Sequence, residues 1–384
     1  MIKSATTGTG AALERLFITG VSPVTMDDVT SGFNIGTNIT NDSWFNDLVG
    51  FSENELREML EYYKEQGVLQ ESIDEIVAMM KPNYDNYCFS EDTLEQCMFN
   101  SDMALYFLKS FVLHHKKPKE IVDPNIRTDF NKLAYLIKLD HGLGENFSVI
   151  KEIAEQGEII TDIVTHFSAL EMTDPSNFKS LLFYFGLLSI KGVDMVGRPI
   201  LHVPNLVVRE QLFNFLIQGY IKHDIFKIDM NKMSALFENM AFRGDWKPLF
   251  DFIANAVREQ SRIREYIEGE AHIKGFLLAY LGMYRYYQLY PEYELNKGFA
   301  DFFFKPSLSV PVLPPFTYLL EVKYAKAGAS EKEIRALADE AREQLLRYSE
   351  DELVAEAKAK GELKLITIVW RSWELVLLEE VTLS

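Results

Sequence analysis

Cysteine is scarce in this chain: Cys88 and Cys97 are the two it has in 384 residues, and no histidine pattern surrounds them. That excludes a disulfide framework and a zinc site, and it fits a reducing cytoplasm. No apolar run reaches the length that spans a bilayer, and the opening Met1-Ile-Lys-Ser-Ala-Thr-Thr-Gly-Thr-Gly10 lacks a signal-peptide core. A membrane partner is therefore not expected. There is no G-x-x-x-x-G-K-[ST], and Gly8-Thr-Gly10 is not a phosphate loop, so the chain does not bind ATP in the P-loop manner. An excess of basic residues is missing too: 39 Lys and Arg stand against 57 Asp and Glu, a net charge of −18. Any contact with polyanions must be weak or local. The acidity is uneven, with 19 basic against 23 acidic residues from position 241 onward and 20 against 34 before it.

What is present is apolar and aromatic, at 47% and 13% of residues, which argues for well-filled cores and against disorder. The length suggests two or three domains. Leu16-Phe-Ile-Thr-Gly20 has the pattern of a buried parallel strand whose neighbours are not in this chain, so it is expected to pair with another one. The spacing of Phe45, Leu48, Val49, Leu56, Met59, Leu60 and Tyr63 predicts helix over 44–64, broken near Gly50. Further helices are predicted at 71–81, 91–115, 126–139, 147–156, 178–188 and 208–222. Residues 181–190 and 193–202 read alternatively as strand and turn.

Gly244-Asp-Trp-Lys-Pro248 looks like a boundary. Beyond it the pattern predicts helices at 247–265 and 269–286, then strands at 286–295, 298–304 and 317–324. A helix at 331–348 and closing strands at 364–370 and 374–379 complete an α-β-β-β-α-β order.

The chemistry concentrates in that last part. Glu321-Val322-Lys323 lies inside the apolar run 316–324, where an unpaired charge is costly to bury. In an extended segment Glu321 and Lys323 share a face. With Asp301 on the preceding strand they form the D-x(n)-E-x-K arrangement of a magnesium-dependent nuclease. Two hard carboxylates and the Val322 carbonyl suit Mg²⁺ or Mn²⁺. Lys323 is placed to serve the attacking water or the charge on phosphorus. The competing interpretation is a salt-bridge ladder on an edge strand, but the flanks Phe302-Phe-Phe304 and Tyr318-Leu-Leu320 are too apolar for one. Either Glu270 or Glu294 is a candidate further ligand, and a solvated helix-start glutamate explains Glu270 equally well. Gln344 and Tyr348, at i and i+4, share a helix face from which Gln344 reaches a water or a phosphate oxygen. Arg258, Arg262, Arg264 and Lys274 make the most basic local stretch, interleaved with Glu259, Glu265 and Glu268, so ion pairs within the helices account for them at least as well.

Residues 15–34, Arg-Leu-Phe-Ile-Thr-Gly-Val-Ser-Pro-Val-Thr-Met-Asp-Asp-Val-Thr-Ser-Gly-Phe-Asn, resemble the late part of the ATPase core in AAA-ATPase-like proteins fused to a PD-(D/E)XK nuclease domain, of the type common in Bacteroidetes. Gly298-Phe-Ala-Asp301, Glu294, Glu321-Val-Lys323 and Gln344 resemble that family's nuclease motifs. The resemblance implies a helix-rich α/β protein. An ATPase remnant with helical lid is expected at 1–115, a helical middle region at 116–242, and a PD-(D/E)XK nuclease-like domain at 243–384. It implies metal-dependent hydrolysis of DNA by Asp301, Glu321, Lys323 and Gln344, with Glu294 or Glu270 assisting and Mg²⁺ or Mn²⁺ as cofactor. The P-loop and acidic strand that precede this point in the family are missing, so a truncated member is expected, completed by a second copy or an ATPase partner chain. The alternative is a non-catalytic module that binds nucleic acid or protein on a nuclease fold.

Overall fold

The computed structural model describes residues 37–116, 145–165, 174–222, 229–259 and 269–382, apart from 283, 285, 296–297, 308–309 and 311, together with Phe17, Pro118, Val122 and Glu171. Phe17 aside, the expected strand at 16–20 and the segment 15–34 lie outside the described residues, as do the helix at 126–139 and Arg262, Arg264, Glu265 and Glu268.

Three helices open the described chain: α1 Glu53–Glu65, α2 Ile73–Tyr84 and α3 Ser101–His114. Gly50 turns into α1 with φ +98, and Ser52 and Glu55 form a capping box at its start. The helix expected from residue 91 begins only at Ser101. Asn100 caps it through Met103 N–H, and Phe99 and Met98 before it are taken up in bridges to Phe51 and Tyr87. Leu56, Leu60, Ile76, Met80, Phe107 and Phe111 form a core of their own beneath these helices.

The middle part holds α4 Glu145–Gln156, β1 Glu158–Ile160, α5 Pro175–Tyr184, β2 Ser189–Val193, β3 Pro199–His202, α6 Leu206–Lys222 and α7 Met230–Arg243. Asp174 and Pro175 start α5 three residues earlier than the apolar pattern suggests. The strand-and-turn alternative holds only in part: 181–184 stay helical, the strand is Ser189–Val193, and Pro199–His202 is a second strand that forms a hairpin with it, with β1 on its other side. Gly244, left-handed at φ +69, ends α7 with its N–H donated to Asn239.

After it come α8 Lys247–Glu259 and α9 Glu270–Leu281, then β4 Tyr287–Leu295, β5 Gly298–Pro306 and β6 Phe316–Ala325. Helix α10 Glu331–Tyr348, a short helix α11 Glu352–Lys360 that the sequence pattern does not predict, β7 Glu362–Arg371 and β8 Glu374–Val381 follow. The five strands lie in chain order, with β6 and β7 parallel and the other pairs antiparallel.

Alternation along β6 sorts the sheet's two faces. Tyr318, Leu320 and Val322 pack with Ile253 of α8 and Ile273 and Phe276 of α9 in a cluster that extends through α4 to α7. Leu319 packs instead with Leu345 of α10, and Ala325 with Ile334 and Ala338. Glu321 and Lys323 fall between Leu319 and Ala325, on the face that α10 covers. Tyr318 Oη donates to the Met240 carbonyl at 2.6 Å, and Trp246 Nε1 to Glu380 at 2.9 Å, fixing the helical part against the sheet. No helix among the described residues is long and apolar enough to cross a membrane.

Candidate active site

Two neighbours flank β6 and hold it differently. All ten of its residues pair with β7, from Phe316↔Glu362 to Ala325↔Arg371. Against β5 the pairing covers Phe304↔Tyr318, Phe303↔Leu319 and Phe302↔Leu320 and then stops. The next positions in that register are Asp301 and Glu321. Here side chains take over the backbone's bonds: Val322 N–H donates to Asp301 Oδ2 at 2.7 Å, and Asp301 N–H to Glu321 Oε1 at 3.4 Å.

The two carboxylates are deeply buried, Asp301 at 5% and Glu321 at 2% exposure. Burial first, and the adjacent Asp301 charge second, push the Glu321 pKa well above the usual carboxylate range, with Lys323 opposing them. Two cations face the pair. Lys323 Nζ stands 3.9 Å from Glu321 Oε2 and 3.0 Å from Glu340 Oε1. Lys274 Nζ stands 2.5 Å from Asp301 Oδ1 and 3.1 Å from both Glu270 and Glu292. Burial opposes the Lys274 charge, but Asp301, Glu292 and Glu270 outweigh it and raise its pKa above the ordinary lysine range.

The local sequence explains these positions. Glu270 and Lys274 are one turn apart on α9. Glu292 carries a left-handed φ of +43 within β4, which breaks the strand's alternation and sets the Tyr290 and Tyr293 rings 5.1 Å apart. On α10, Glu340, Gln344 and Tyr348 recur every four residues and share one face. A Cβ on Gly298, at φ +138, would come within 2.8 Å of Tyr348 Oη, so glycine lets the hydroxyl close over the start of β5. Burial, then the Glu321, Asp301 and Glu292 charges, against Arg347, raise the Tyr348 pKa. Gln344 Oε1 and Thr367 Oγ1 are buried with no hydrogen-bond partner among the described residues. Thr367 is the β7 residue in register with Glu321.

Of the residues singled out in the sequence, the fold brings Asp301, Glu321 and Lys323 together and ties Glu270 to them through Lys274. Gln344 lies on the helix face above. Glu294 is exposed on β4, and no ion pair joins it to the cluster among the described residues. Arg258 donates to Asn255 and pairs with no glutamate among the described residues. The sequence reading missed Glu292, Glu340 and Thr367, and it took Lys274 for part of a basic stretch. The i, i+4 spacings to Glu270 and Gln344 were signals for Lys274 and Glu340. Glu292 and Thr367 had none, because strand register alone places them.

Among the described residues no group of three or more His, Cys, Asp or Glu could hold a metal ion. The donor set is two carboxylates. A buried pair of like charges that forces one member toward protonation suits a divalent cation that keeps most of its water, the habit of Mg²⁺. No curated protein matches the chain. Residues 268–380, from just before α9 into β8, contain Lys274, Asp301, Glu321, Lys323 and Gln344; they match the family model of the PD-(D/E)XK nuclease superfamily and form a domain of that superfamily.

Proposed function

We propose that this domain hydrolyses phosphodiester bonds of DNA with a bound Mg²⁺ or Mn²⁺. The observation that supports this is the buried Asp301–Glu321 pair at the break in the β5–β6 ladder, with Lys323 two residues along the same strand. Asp301 and Glu321 would hold the metal, with Glu270, linked to Asp301 through Lys274, placed better than Glu294 to assist. Such an ion, when bound, polarises the scissile phosphate and lowers the pKa of water. Lys323 offsets the Glu321 charge and stabilises negative charge gathering on the phosphate. The unpartnered Oε1 of Gln344 accepts a hydrogen bond from the attacking water and orients it. Lys274 holds the Asp301 carboxylate in place from the α9 side.

The expected result is Mn²⁺-dependent cleavage of DNA by the wild type and loss of cleavage in Asp301→Ala. Undiminished cleavage by that variant would remove the reading. A non-catalytic binding module is the second reading, favoured by the Lys274 ammonium already seated on Asp301. Calorimetry with Mn²⁺ separates the two, since a binding module need not take up the ion.

The division at 1–115, 116–242 and 243–384 belongs to the same proposal. Its second boundary falls within continuous packing, because α4 to α7 share one apolar cluster with the sheet. The ATPase-like part rests on the resemblance of residues 15–34 alone, and so does completion by another chain.

A further inference from the structure

Half-buried cations in this chain commonly have carboxylate partners: Lys151, Lys274, Lys323 and Lys364 each pair with at least one. Arg209 of α6 and Lys305 of β5 are also half-buried and have none among the described residues, in a chain with 57 acidic residues to choose from. Arg209 has five N–H donors and, among the described residues, uses one, in a long 3.4 Å bond to the Leu289 carbonyl. Its guanidinium stands 5.1 Å from the centre of the Tyr290 ring. Lys305 Nζ stands 5.3, 4.6 and 5.0 Å from the Tyr290, Tyr293 and Phe303 rings and donates to Tyr293 Oη at 2.9 Å. Aromatic faces attract a cation without neutralising it. Two net positive charges are thus held about one tyrosine.

Arg209 also lines a cavity of about 50 Å³ with Asn83, Tyr284, Gln288 and Ser307, where Glu210 supplies a single carboxylate among the described residues. By this measure one water needs about 10–15 Å³, so the space has room for a small oxyanion. Burial lowers the Arg209 pKa, as expected for a charge lacking a counter-ion.

We propose that Arg209 and Lys305 form a phosphate-binding site on the same side of the sheet edge as Tyr290, along β5 from the carboxylate pair. Lys305 lies four residues along β5 from Asp301, about 13 Å at the rise of a strand. Tyr293 of its cage adjoins Glu292, which contacts Lys274. A nucleic-acid backbone laid along β5 toward the carboxylate pair would pass these cations. That source of phosphate rests on the nuclease reading; the site itself does not.

The test uses the full chain in EDTA, where no cleavage occurs. One arm follows melting temperature as inorganic phosphate replaces chloride at constant ionic strength. The other measures binding of a short single-stranded DNA against salt. Phosphate is expected to raise the melting temperature of the wild type, and Arg209→Gln or Lys305→Gln to remove most of that rise. The double variant is expected to bind the oligonucleotide about tenfold more weakly. Its log–log salt slope is expected to flatten by about 0.7, for the one phosphate it no longer neutralises. Loss in both arms supports the site with nucleic acid as the source, and loss in the phosphate arm alone supports it with free phosphate. Variants matching the wild type in both arms, or a wild type responding in neither, overturn the proposal. If Arg209→Gln fails to fold, Arg209→Lys and Lys305→Gln carry the same comparison. Absence of Mn²⁺-dependent cleavage with an intact phosphate response would sink the nuclease reading and leave the site standing.

Discussion

Strand β6 is bonded to β7 at ten positions and to β5 at three, and the two seams have different consequences. On the closed side every backbone group between the strands meets its partner in the ladder, and the side chains are left to pack. On the open side the ladder ends with the backbone still buried, where an unpaired N–H is costly. Asp301 and Glu321 accept those N–H groups. Their carboxylates are therefore held at the break itself, so structural and chemical demands fall on the same two residues.

The largest effect on stability is expected where the closed ladder meets the break. Leu320 is fully buried, and Leu320→Ala should cost about 3 kcal/mol by leaving a cavity. Urea unfolding checks this, and a cost under about 1 kcal/mol would mean the seam relaxes around the gap.

A smaller effect isolates the open side. Glu321 has a folded pKa raised above its ordinary 4.5, so the folded protein keeps a proton that the unfolded chain releases. Metal-free stability should therefore be fullest below about pH 4.5 and decline as pH rises toward the raised folded value. The Glu321→Gln variant should lose that part of the decline. Melting curves in EDTA at several pH values test it, and parallel slopes for the two proteins would show that Asp301 does not load Glu321 as described. Divalent metal should flatten the wild-type slope if it binds the pair.

The smallest expected effect concerns the helix above the opening. Ser330 caps α10 through Glu333 N–H and shares a capping box with Glu333. Ser330→Ala should cost about 1 kcal/mol. A change in cleavage beyond that loss of stability would show that the α10 face bearing Glu340, Gln344 and Tyr348 needs its exact pitch.

Much of the C-terminal fold was legible because apolar residues recur with a period of two or 3.6 there. Helix α10 was read to the residue at both ends, where Ser330 and Glu333 announce its start. Strands β4 to β8 were read to within two or three residues. Helix α11 escaped because Glu352–Lys360 is short and Ala- and Lys-rich, with little apolar stripe. The start of α3 was overextended because Met98 and Phe99 fit a helical spacing, while tertiary bridges to Tyr87 and Phe51 claim their backbones. Within the site, Asp301, Glu321 and Lys323 stood out as charges in apolar strands, a conflict visible in one dimension. Glu292 and Lys274 did not, because each looks like an ordinary surface residue until β4 and α9 are packed together.

By itself the sequence determined the order of the strands and of α10 in the last third and the face shared by Glu321 and Lys323, since both follow from local periodicity and the fixed alternation of a strand. Tertiary structure decided where the β5–β6 ladder stops, that Lys274 bridges Asp301, Glu270 and Glu292, and that Arg209 and Lys305 meet around Tyr290 without a counter-ion among the described residues. Those outcomes depend on the register between strands and on contacts between residues far apart in the chain, and neither leaves a mark on local spacing.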